Sequence, residues 1–191
     1  MIPVLILAAG QSRRMRGTDK LLQEINGKSL LRQQIDTATP IGPVFVALGP
    51  DQGKRHAVVE KTNATPLIIP EASEGIGATL RGAVPHLPAG PFMVVLADLV
   101  SLETNDLQCV ASTVNEHPNH LIWRGASPNG DAGHPIIFAN ALRPAFATLT
   151  GDNGGETIVK PLKSQTYLHR FADVRARFDL DTPEDWAAWR A

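Results

Sequence analysis

Residues 3–22 read PVLILAAGQSRRMRGTDKLL and join a short apolar run to a polar loop that contains glycine. The run at residues 3–7 is almost wholly aliphatic, which predicts a buried strand. No basic segment precedes this run, and it is too short to cross a bilayer. We therefore predict neither a secretion signal nor a membrane segment, and we expect a cytoplasmic protein. Because a loop of small residues follows the strand directly, we expect a ligand at the carboxyl end of this strand.

Similar apolar segments recur along the chain and alternate with helical patterns. Further strands are predicted at residues 44–48, 66–69, 92–97, 120–123 and 135–138. Helices are predicted at residues 29–38, 53–62, 78–84, 106–115, 141–148 and 184–190. This alternation predicts an α/β fold, a three-layer α/β/α sandwich around a mostly parallel, Rossmann-like sheet. Ligands of such sheets bind just after the strands, here after Leu7, Leu48, Ile69 and Ala97.

The composition is that of an ordered globular protein with a neutral surface. The chain has 191 residues, is 43% hydrophobic and carries a formal net charge of -1. Since no repeat, low-complexity tract or linker interrupts it, we predict one domain over residues 1–191. The near-zero charge argues against a nucleic-acid partner held by a broad basic face, but it is compatible with nucleotides. The single cysteine, Cys109, cannot form an intramolecular disulfide.

The loop after the first strand contains the groups that a phosphate site needs. Its small residues are Ala8, Ala9 and Gly10. Backbone amides in such a turn can approach a ligand closely and form an anion-binding nest. Arg13, Arg14 and Lys20 add cationic groups that bind phosphate oxygens. The alternative interpretation is a small-residue turn beside a solvated basic patch.

The segment LAAGQSRRMRGTDKLL at residues 7–22 resembles the N-terminal signature of the nucleotidyltransferase superfamily. Within it, the chain most resembles the molybdenum cofactor cytidylyltransferases and guanylyltransferases, which have a MobA-like NTP transferase domain. One departure is Arg16, which stands where glycine is usual. The resemblance implies the nucleotide-diphospho-sugar transferase fold. It assigns Lys20 and Arg14 to the triphosphate, and the backbone of residues 7–10 to the base and ribose. A Rossmann-type dehydrogenase would require a G-x-G-x-x-G motif, which this loop lacks.

A second glycine-rich turn precedes the predicted third helix. The segment EGIGATLRGAV at residues 74–84 places Gly75 and Gly77 at a helix N-terminus, where unpaired amides and a positive dipole end favour anions. It resembles the family segment G-M-G-x-S-L-R-x-G, which contacts the nucleotide, and Thr79 stands where serine is usual. The alternative is that this turn simply caps a helix.

The most apolar strand, FMVVLA, is followed directly by Asp98. Mg²⁺ prefers hard oxygen ligands and keeps several waters, so one or two carboxylates suffice to hold it. The resemblance implies a metal-binding aspartate at this point, and we predict Asp98 as a catalytic Mg²⁺ ligand. Relatives usually carry a proline two residues later, where this chain has Val100, so the shape of the loop stays open. The alternative is that Asp98 caps the next helix.

Two further aspartates, Asp179 and Asp181, precede the last predicted helix in the segment RFDLDTPEDWAAW. They alternate on an extended segment and therefore point the same way. The D-x-D-T-P-E-D ending of related transferases resembles this segment and implies that one of them completes the metal site, with Asp181 favoured. A structural role for both stays open. Thr182 and Asp185 are predicted to cap the helix.

The acceptor side is assigned by resemblance. The segment DAGHPIIF resembles the G-H-P motif of cytidylyltransferase-like members, and LTGDNGGETIV resembles their G-D-x-G-A-R segment. The residues that this assigns to the acceptor are Gly133, His134, Pro135 and Asp152. Glu156 stands in place of the arginine and would repel a phosphate, so the identity of the acceptor stays open.

These features predict a Mg²⁺-dependent nucleotidyltransferase that moves CMP from CTP to a phosphorylated acceptor and releases pyrophosphate. The resemblance implies a molybdopterin-type acceptor and, as transfer partner, a molybdoenzyme or its chaperone. CTP is favoured over GTP by the Gly-His-Pro motif. The alternatives are a guanylyltransferase, a sugar-phosphate nucleotidyltransferase, and a non-catalytic nucleotide- or cofactor-binding module.

Overall fold

The computed structural model describes residues 1–190, so the predicted domain boundary at Ala191 lies outside the described residues. The strands are β1 (Val4–Leu7), β2 (Glu24–Ile25), β3 (Lys28–Ser29), β4 (Val44–Leu48), β5 (Thr65–Ile68), β6 (Phe92–Leu96), β7 (Ile122–Ala126), β8 (Ala132–Phe138) and β9 (Thr166–Arg170). The α-helices are α1 (Leu30–Ala38), α2 (Gly53–Val59), α3 (Ile76–Ala83), α4 (Thr104–Glu116), α5 (Arg143–Phe146), α6 (Glu156–Val159) and α7 (Pro183–Arg190).

A seven-stranded sheet in the order β5-β4-β1-β6-β8-β7-β9 forms the centre of the molecule. The neighbours of β1 are both parallel to it, as are the pairs β4–β5 and β7–β9. Within this sheet, as far as the described residues form it, only β8 runs antiparallel to its neighbours, β6 and β7. The predicted α/β fold with a mostly parallel sheet is therefore confirmed.

Each face of the sheet has its own hydrophobic core, because successive side chains of a strand point to opposite faces. In β1, Val4 and Ile6 belong to one core, and Leu5 and Leu7 belong to the other. Buried residues of α1, α4 and α7 complete the first core, and those of α3, α5 and α6 complete the second. Burial on both faces explains why the central strands are continuously apolar rather than alternating.

Several predicted boundaries differ from the structure. The strand predicted at residues 120–123 is β7, which lies later because Arg124 pairs with Ile136 across the ladder. The helix predicted at residues 141–148 is a 3-10 turn followed by the single-turn helix α5. The helix predicted at residues 53–62 ends at Val59, after which Thr62 closes a turn by donating from its amide and its hydroxyl to the Val59 oxygen.

The sequence does not predict four of these short elements, namely strands β2 and β3, helix α6 and strand β9. Strand β9 lies at the sheet edge and pairs with β7 alone, and four of its five residues are only partly buried. Within the described range, no helix is both long and apolar enough to cross a membrane.

Candidate active site

A cavity of about 530 Å³ opens at the carboxyl ends of β1 and β6, where the strand pattern predicts a ligand. The predicted site residues that line it are Leu7, Ala9, Gly10, Arg13, Arg14, Lys20, Gly75, Thr79, Asp98, Asp152 and Asp181. The other predicted site residues, all within the described range, do not line it; they are Ala8, Gly77, Gly133, His134, Pro135 and Asp179. A second cavity of about 490 Å³ adjoins it beside the loop after β4.

Lys20 connects the loop after β1 to Asp98 and Asp181 in the lining of this cavity. Its Nζ donates to Asp98 Oδ2 at 2.5 Å and to Asp181 Oδ1 at 2.8 Å. Arg14 Nη2 lies 2.6 Å from Asp181 Oδ2. Burial lowers the pKa of Lys20, but the carboxylates of Asp98 and Asp181 outweigh this effect and raise the pKa overall. Lys20 is therefore a fixed positive charge between two aspartates.

Asp98, Asp179 and Asp181 form an acidic cluster in which one carboxylate oxygen from each lies within 4.8 Å of the others. Asp179 is exposed, but partial desolvation and the neighbouring charges of Asp181 and Asp98 raise its pKa. Burial acts in the same sense on Asp181, but the hydrogen bond from Lys20 outweighs it and lowers the pKa of Asp181. Asp98 Oδ1 is buried and has no hydrogen-bond partner among residues 1–190. An unpaired buried oxygen in an acidic cluster fits a hard divalent cation.

Some carboxylates near the cluster cap helices and are therefore structural, whereas others lie in the cavity. Helix α4 begins with a capping box formed by Glu103 and Asp106. Asp98 instead accepts from Lys20, so the interpretation of Asp98 as the cap of α4 is wrong. At α7, Asp185 accepts from the Thr182 amide at 2.9 Å and its own amide donates to Thr182 Oγ1 at 3.1 Å. This reciprocal pair confirms the predicted cap.

Arg55 on α2 is the main residue of this region that the sequence did not reveal. Its side chain is 3% exposed and lies beneath the loop after β1. Its guanidinium donates to both carboxylate oxygens of Asp19, at 2.7 and 2.8 Å, and to the Gly10 oxygen at 2.7 Å. The available signal was its position in the first turn of a helix that follows a parallel strand, which lies at the ligand edge of the sheet.

The glycine turn before α3 packs tightly against residues 150–154. Gly75 has φ 129°, and a Cβ there would lie 2.3 Å from Asp152 Oδ1 and 2.6 Å from the Gly151 oxygen. The Gly77 amide donates to the Gly151 oxygen at 2.8 Å. Thr79 Oγ1 donates to the Gly75 oxygen at 3.0 Å. Close packing therefore accounts for both glycines, and their predicted nucleotide contact stays a prediction.

On the predicted acceptor side, a buried arginine lies near the histidine. Arg124 is 5% exposed, and its Nε donates to the Gly133 oxygen at 3.0 Å. Glu156 Oε1 lies 3.7 Å from Arg124 Nη1. His134 Nδ1 is 3.3 Å from the Val94 oxygen. Glu156 is thus the counter-ion of a buried arginine, which the sequence did not indicate.

The surroundings of His134 predict that the stability of the fold depends on pH. Burial lowers its pKa from 6.5 to about 4, with a smaller contribution from Arg124 and opposing effects of the Val94 oxygen and Asp98. Between these values the unfolded chain binds a proton that the folded chain does not bind. The contribution of neutral His134 to stability is therefore fully present well above pH 6.5 and is lost as the pH falls towards 4. From pH 7 to pH 5 we expect this group to cost about 2 kcal/mol.

Urea unfolding of wild type and His134→Gln at both pH values measures this loss. The variant should lose about 2 kcal/mol less than wild type between pH 7 and pH 5, whatever its stability at pH 7. Parallel losses in the two proteins would show that His134 does not carry the effect.

Comparisons with known proteins identify a family and structures of similar fold. The family model of the MobA-like NTP transferase domain matches residues 4–167. Rv0371c from Mycobacterium tuberculosis H37Rv superposes with a TM-score of 0.83 at 24% identity, over 98% of this chain and 95% of that one. Its complex with manganese superposes at 0.78 and 21% identity, over 98% and 96%. Molybdopterin-guanine dinucleotide biosynthesis protein A from Archaeoglobus fulgidus gives 0.70 at 15% identity, over 98% and 96%. At these identities the likeness establishes the fold.

Among curated relatives, the bifunctional protein GlmU of Legionella pneumophila (strain Corby) is 28% identical over 125 residues. The match covers 63% of this chain but only 27% of that protein. This chain therefore corresponds to about a quarter of the length of that relative.

Proposed function

Since this chain belongs to the MobA-like NTP transferase family, we propose that it transfers a nucleotide from a nucleoside triphosphate to a phosphorylated acceptor. The proposed reaction moves CMP from CTP to a molybdopterin-type cofactor. The observation that carries the proposal is the Lys20–Asp98–Asp181 cluster below the loop after β1. It combines a fixed cation, an unpaired carboxylate oxygen and a cavity of about 530 Å³ in one place.

The chemistry requires an oxygen of the acceptor phosphate to attack the α-phosphorus in line. The bond from the α-phosphorus to the bridging oxygen of the β-phosphate then breaks, and pyrophosphate carries away the electron pair. Lys20 and Arg14 hold the triphosphate in this scheme, by exchanging an aspartate contact for a phosphate oxygen. Catalysis then consists of positioning and charge neutralisation, and no protein nucleophile is needed.

Asp98 and Asp181, with Asp179 beside them, would hold Mg²⁺. The unpaired Asp98 Oδ1 and the excess of three carboxylates over the two cations Lys20 and Arg14 support a divalent ion here. The manganese complex of Rv0371c is in keeping with a divalent metal. When bound, the metal would supply neutralisation of the negative charge on phosphate oxygens.

The acceptor would approach from the side of Asp152 and His134. Arg124 supports an anionic acceptor, because it is a buried cation whose carboxylate partner is exposed and 3.7 Å away. An acceptor phosphate could replace Glu156 as the partner of Arg124. A molybdoenzyme or its chaperone would then receive the product.

Two enzyme alternatives concern the substrates. The Archaeoglobus fulgidus protein is named for molybdopterin-guanine dinucleotide biosynthesis, which favours a guanylyltransferase as the runner-up. A sugar-phosphate nucleotidyltransferase is the next alternative. A non-catalytic binding module is disfavoured by the retention of Lys20, Asp98 and Asp181 in one cluster.

Pyrophosphate release tests the proposal and its alternatives together. The protein is assayed with Mg²⁺ and each of CTP, GTP, ATP and UTP, against a molybdopterin-cofactor preparation and a panel of sugar phosphates. Release that requires CTP and the cofactor is the expected result. Release with GTP, or with a sugar phosphate, identifies the corresponding alternative. Triphosphate binding without any release would favour the binding module.

A further inference from the structure

Three consecutive carbonyl oxygens of the loop after β1 accept hydrogen bonds from the α2 region. Arg55 Nη1 donates to the oxygens of Ala8 and Gly10, the latter at 2.7 Å. Gln52 Nε2 donates to the Ala9 oxygen at 2.8 Å. In a planar trans peptide, the C=O and the following N–H point in opposite directions. The amides that follow these three carbonyls therefore point away from the side chains of Arg55 and Gln52.

These amides belong to Ala9, Gly10 and Gln11, all of which line the cavity. No backbone oxygen of residues 1–190 accepts a hydrogen bond from any of the three. Successive free amides in a tight loop form a concave site with partial positive charge. Arg55 and Gln52 set the orientation of this site, because they donate to its three carbonyl oxygens.

Arg55 also connects the loop to the segment that carries Lys20. Its Nη2 donates to Ser12 Oγ at 3.1 Å, and the same oxygen accepts from the Lys20 amide at 3.3 Å. The paired hydrogen bonds to Asp19 fix the guanidinium in this orientation. Because the Arg55 side chain is 3% exposed, it acts on a ligand only through the loop that it holds.

We propose that Arg55, assisted by Gln52, is a positioning residue that orients the amides of residues 9–11 and the Lys20 segment for the triphosphate. The inference rests on the proposed function, since it concerns the triphosphate side of that site. Arg55 and Gln52 belong to a helix and a turn that no resemblance assigned to the nucleotide. A guanidinium is suited to this role because its fixed fork bonds several acceptors at once.

Binding and turnover of four variants test the proposal. Affinities for CTP, GTP and inorganic tripolyphosphate are measured by calorimetry with Mg²⁺, at a temperature where circular dichroism shows each variant folded. Arg55→Ala should lower kcat/KM for the triphosphate by about 100-fold, the effect of misplacing a site by about 1 Å. Arg55→Lys should lie between this variant and wild type. Gln52→Met, which changes no charge, should weaken triphosphate binding by about 10-fold.

Arg143→Ala is the matched control. The guanidinium of Arg143 also donates to several backbone oxygens, those of Gly90, Val84 and Leu87, at 3.0 to 3.3 Å. Arg143 does not line the cavity. The Arg143→Ala variant should be less stable than wild type, and its triphosphate affinity should stay within about twofold of the wild-type value. If Arg55→Ala does not fold, Arg55→Lys and Gln52→Met decide the result.

The outcomes separate the two proposals. Arg55→Lys and Gln52→Met, and Arg55→Ala if it folds, are compared with wild type. If they all bind triphosphate as tightly as wild type does, the positioning role alone is overturned. Equal weakening in the Arg143 control also overturns it, because general destabilisation would then explain the loss. Wild type that binds no triphosphate overturns the proposed function, and the positioning role falls with it.

Discussion

Asp98→Asn is expected to lower kcat for pyrophosphate release by about 1,000-fold, with little change in triphosphate affinity. The substitution keeps the shape of the side chain and removes the charge that faces Lys20 at 2.5 Å. It also replaces an oxygen pair that fits a divalent cation by an amide, which is a poorer ligand. Since Lys20 and Arg14 remain in place to hold phosphate, binding should survive while turnover fails.

The matched control for this experiment is Asp36→Asn. Asp36 forms an aspartate–lysine pair with Lys28 at 2.8 Å, like that of Asp98 with Lys20, but it does not line the cavity. Pyrophosphate release with the identified acceptor and titration with CTP measure turnover and binding separately. Turnover of Asp98→Asn within tenfold of wild type would contradict the metal-binding role, and a loss of the same size in Asp36→Asn would point to a general effect of charge.

The buried strands could be predicted because burial on both faces leaves an unmistakable apolar run. In β6, the segment from Phe92 to Leu96 contains no polar residue, and it lies where the sequence predicts a strand. The bounds of β7 could not be predicted, because Arg124 and the following glycine are typical of a strand end. Arg124 lies within the strand because the Gly133 oxygen and Glu156 solvate its charge. These contacts depend on residues that are distant in the chain.

The position of Asp98 followed from a local rule, since a polar residue directly after a buried parallel strand lies at the ligand edge. The choice between Asp179 and Asp181 could not follow from such a rule, because both point the same way on an extended segment. In the structure Asp181 contacts Lys20 and Arg14, whereas Asp179 is exposed. This difference arises from packing between the two ends of the chain.

Arg55 illustrates a second limit of local reasoning. Arginine is common on the solvent face of helices, and apart from its place near the ligand edge of the sheet nothing in the pattern of α2 distinguishes this one. Its burial follows from the loop that covers it, whose carbonyl oxygens at Ala8 and Gly10 accept hydrogen bonds from the guanidinium. The candidate site residues at the strand ends could therefore be predicted from the sequence, whereas the residue that supports the loop could not be singled out.

Gly75→Ala is expected to destabilise the fold by about 3 kcal/mol and to lower turnover as well. Gly75 has φ 129° and ψ -174°, a region that is essentially restricted to glycine and costs other residues about 1–3 kcal/mol. The added Cβ would also lie 2.3 Å from Asp152 Oδ1 and 2.6 Å from the Gly151 oxygen, so residues 151 and 152 must move. Because Asp152 lines the cavity, the same movement should disturb the predicted acceptor side.

Two other glycines separate backbone strain from the steric clash. Gly90 has φ 113° and open space around a Cβ, so Gly90→Ala should cost only the strain, about 1 kcal/mol. Gly53 lies in α2 with open space and no positive φ, so Gly53→Ala should stabilise by about 0.5–1 kcal/mol. Thermal unfolding checks this order, with a Tm loss of roughly 9 °C for Gly75→Ala. If Gly75→Ala loses no more than Gly90→Ala, the contact with residues 151 and 152 is not tight, and the glycine is retained for its backbone conformation alone.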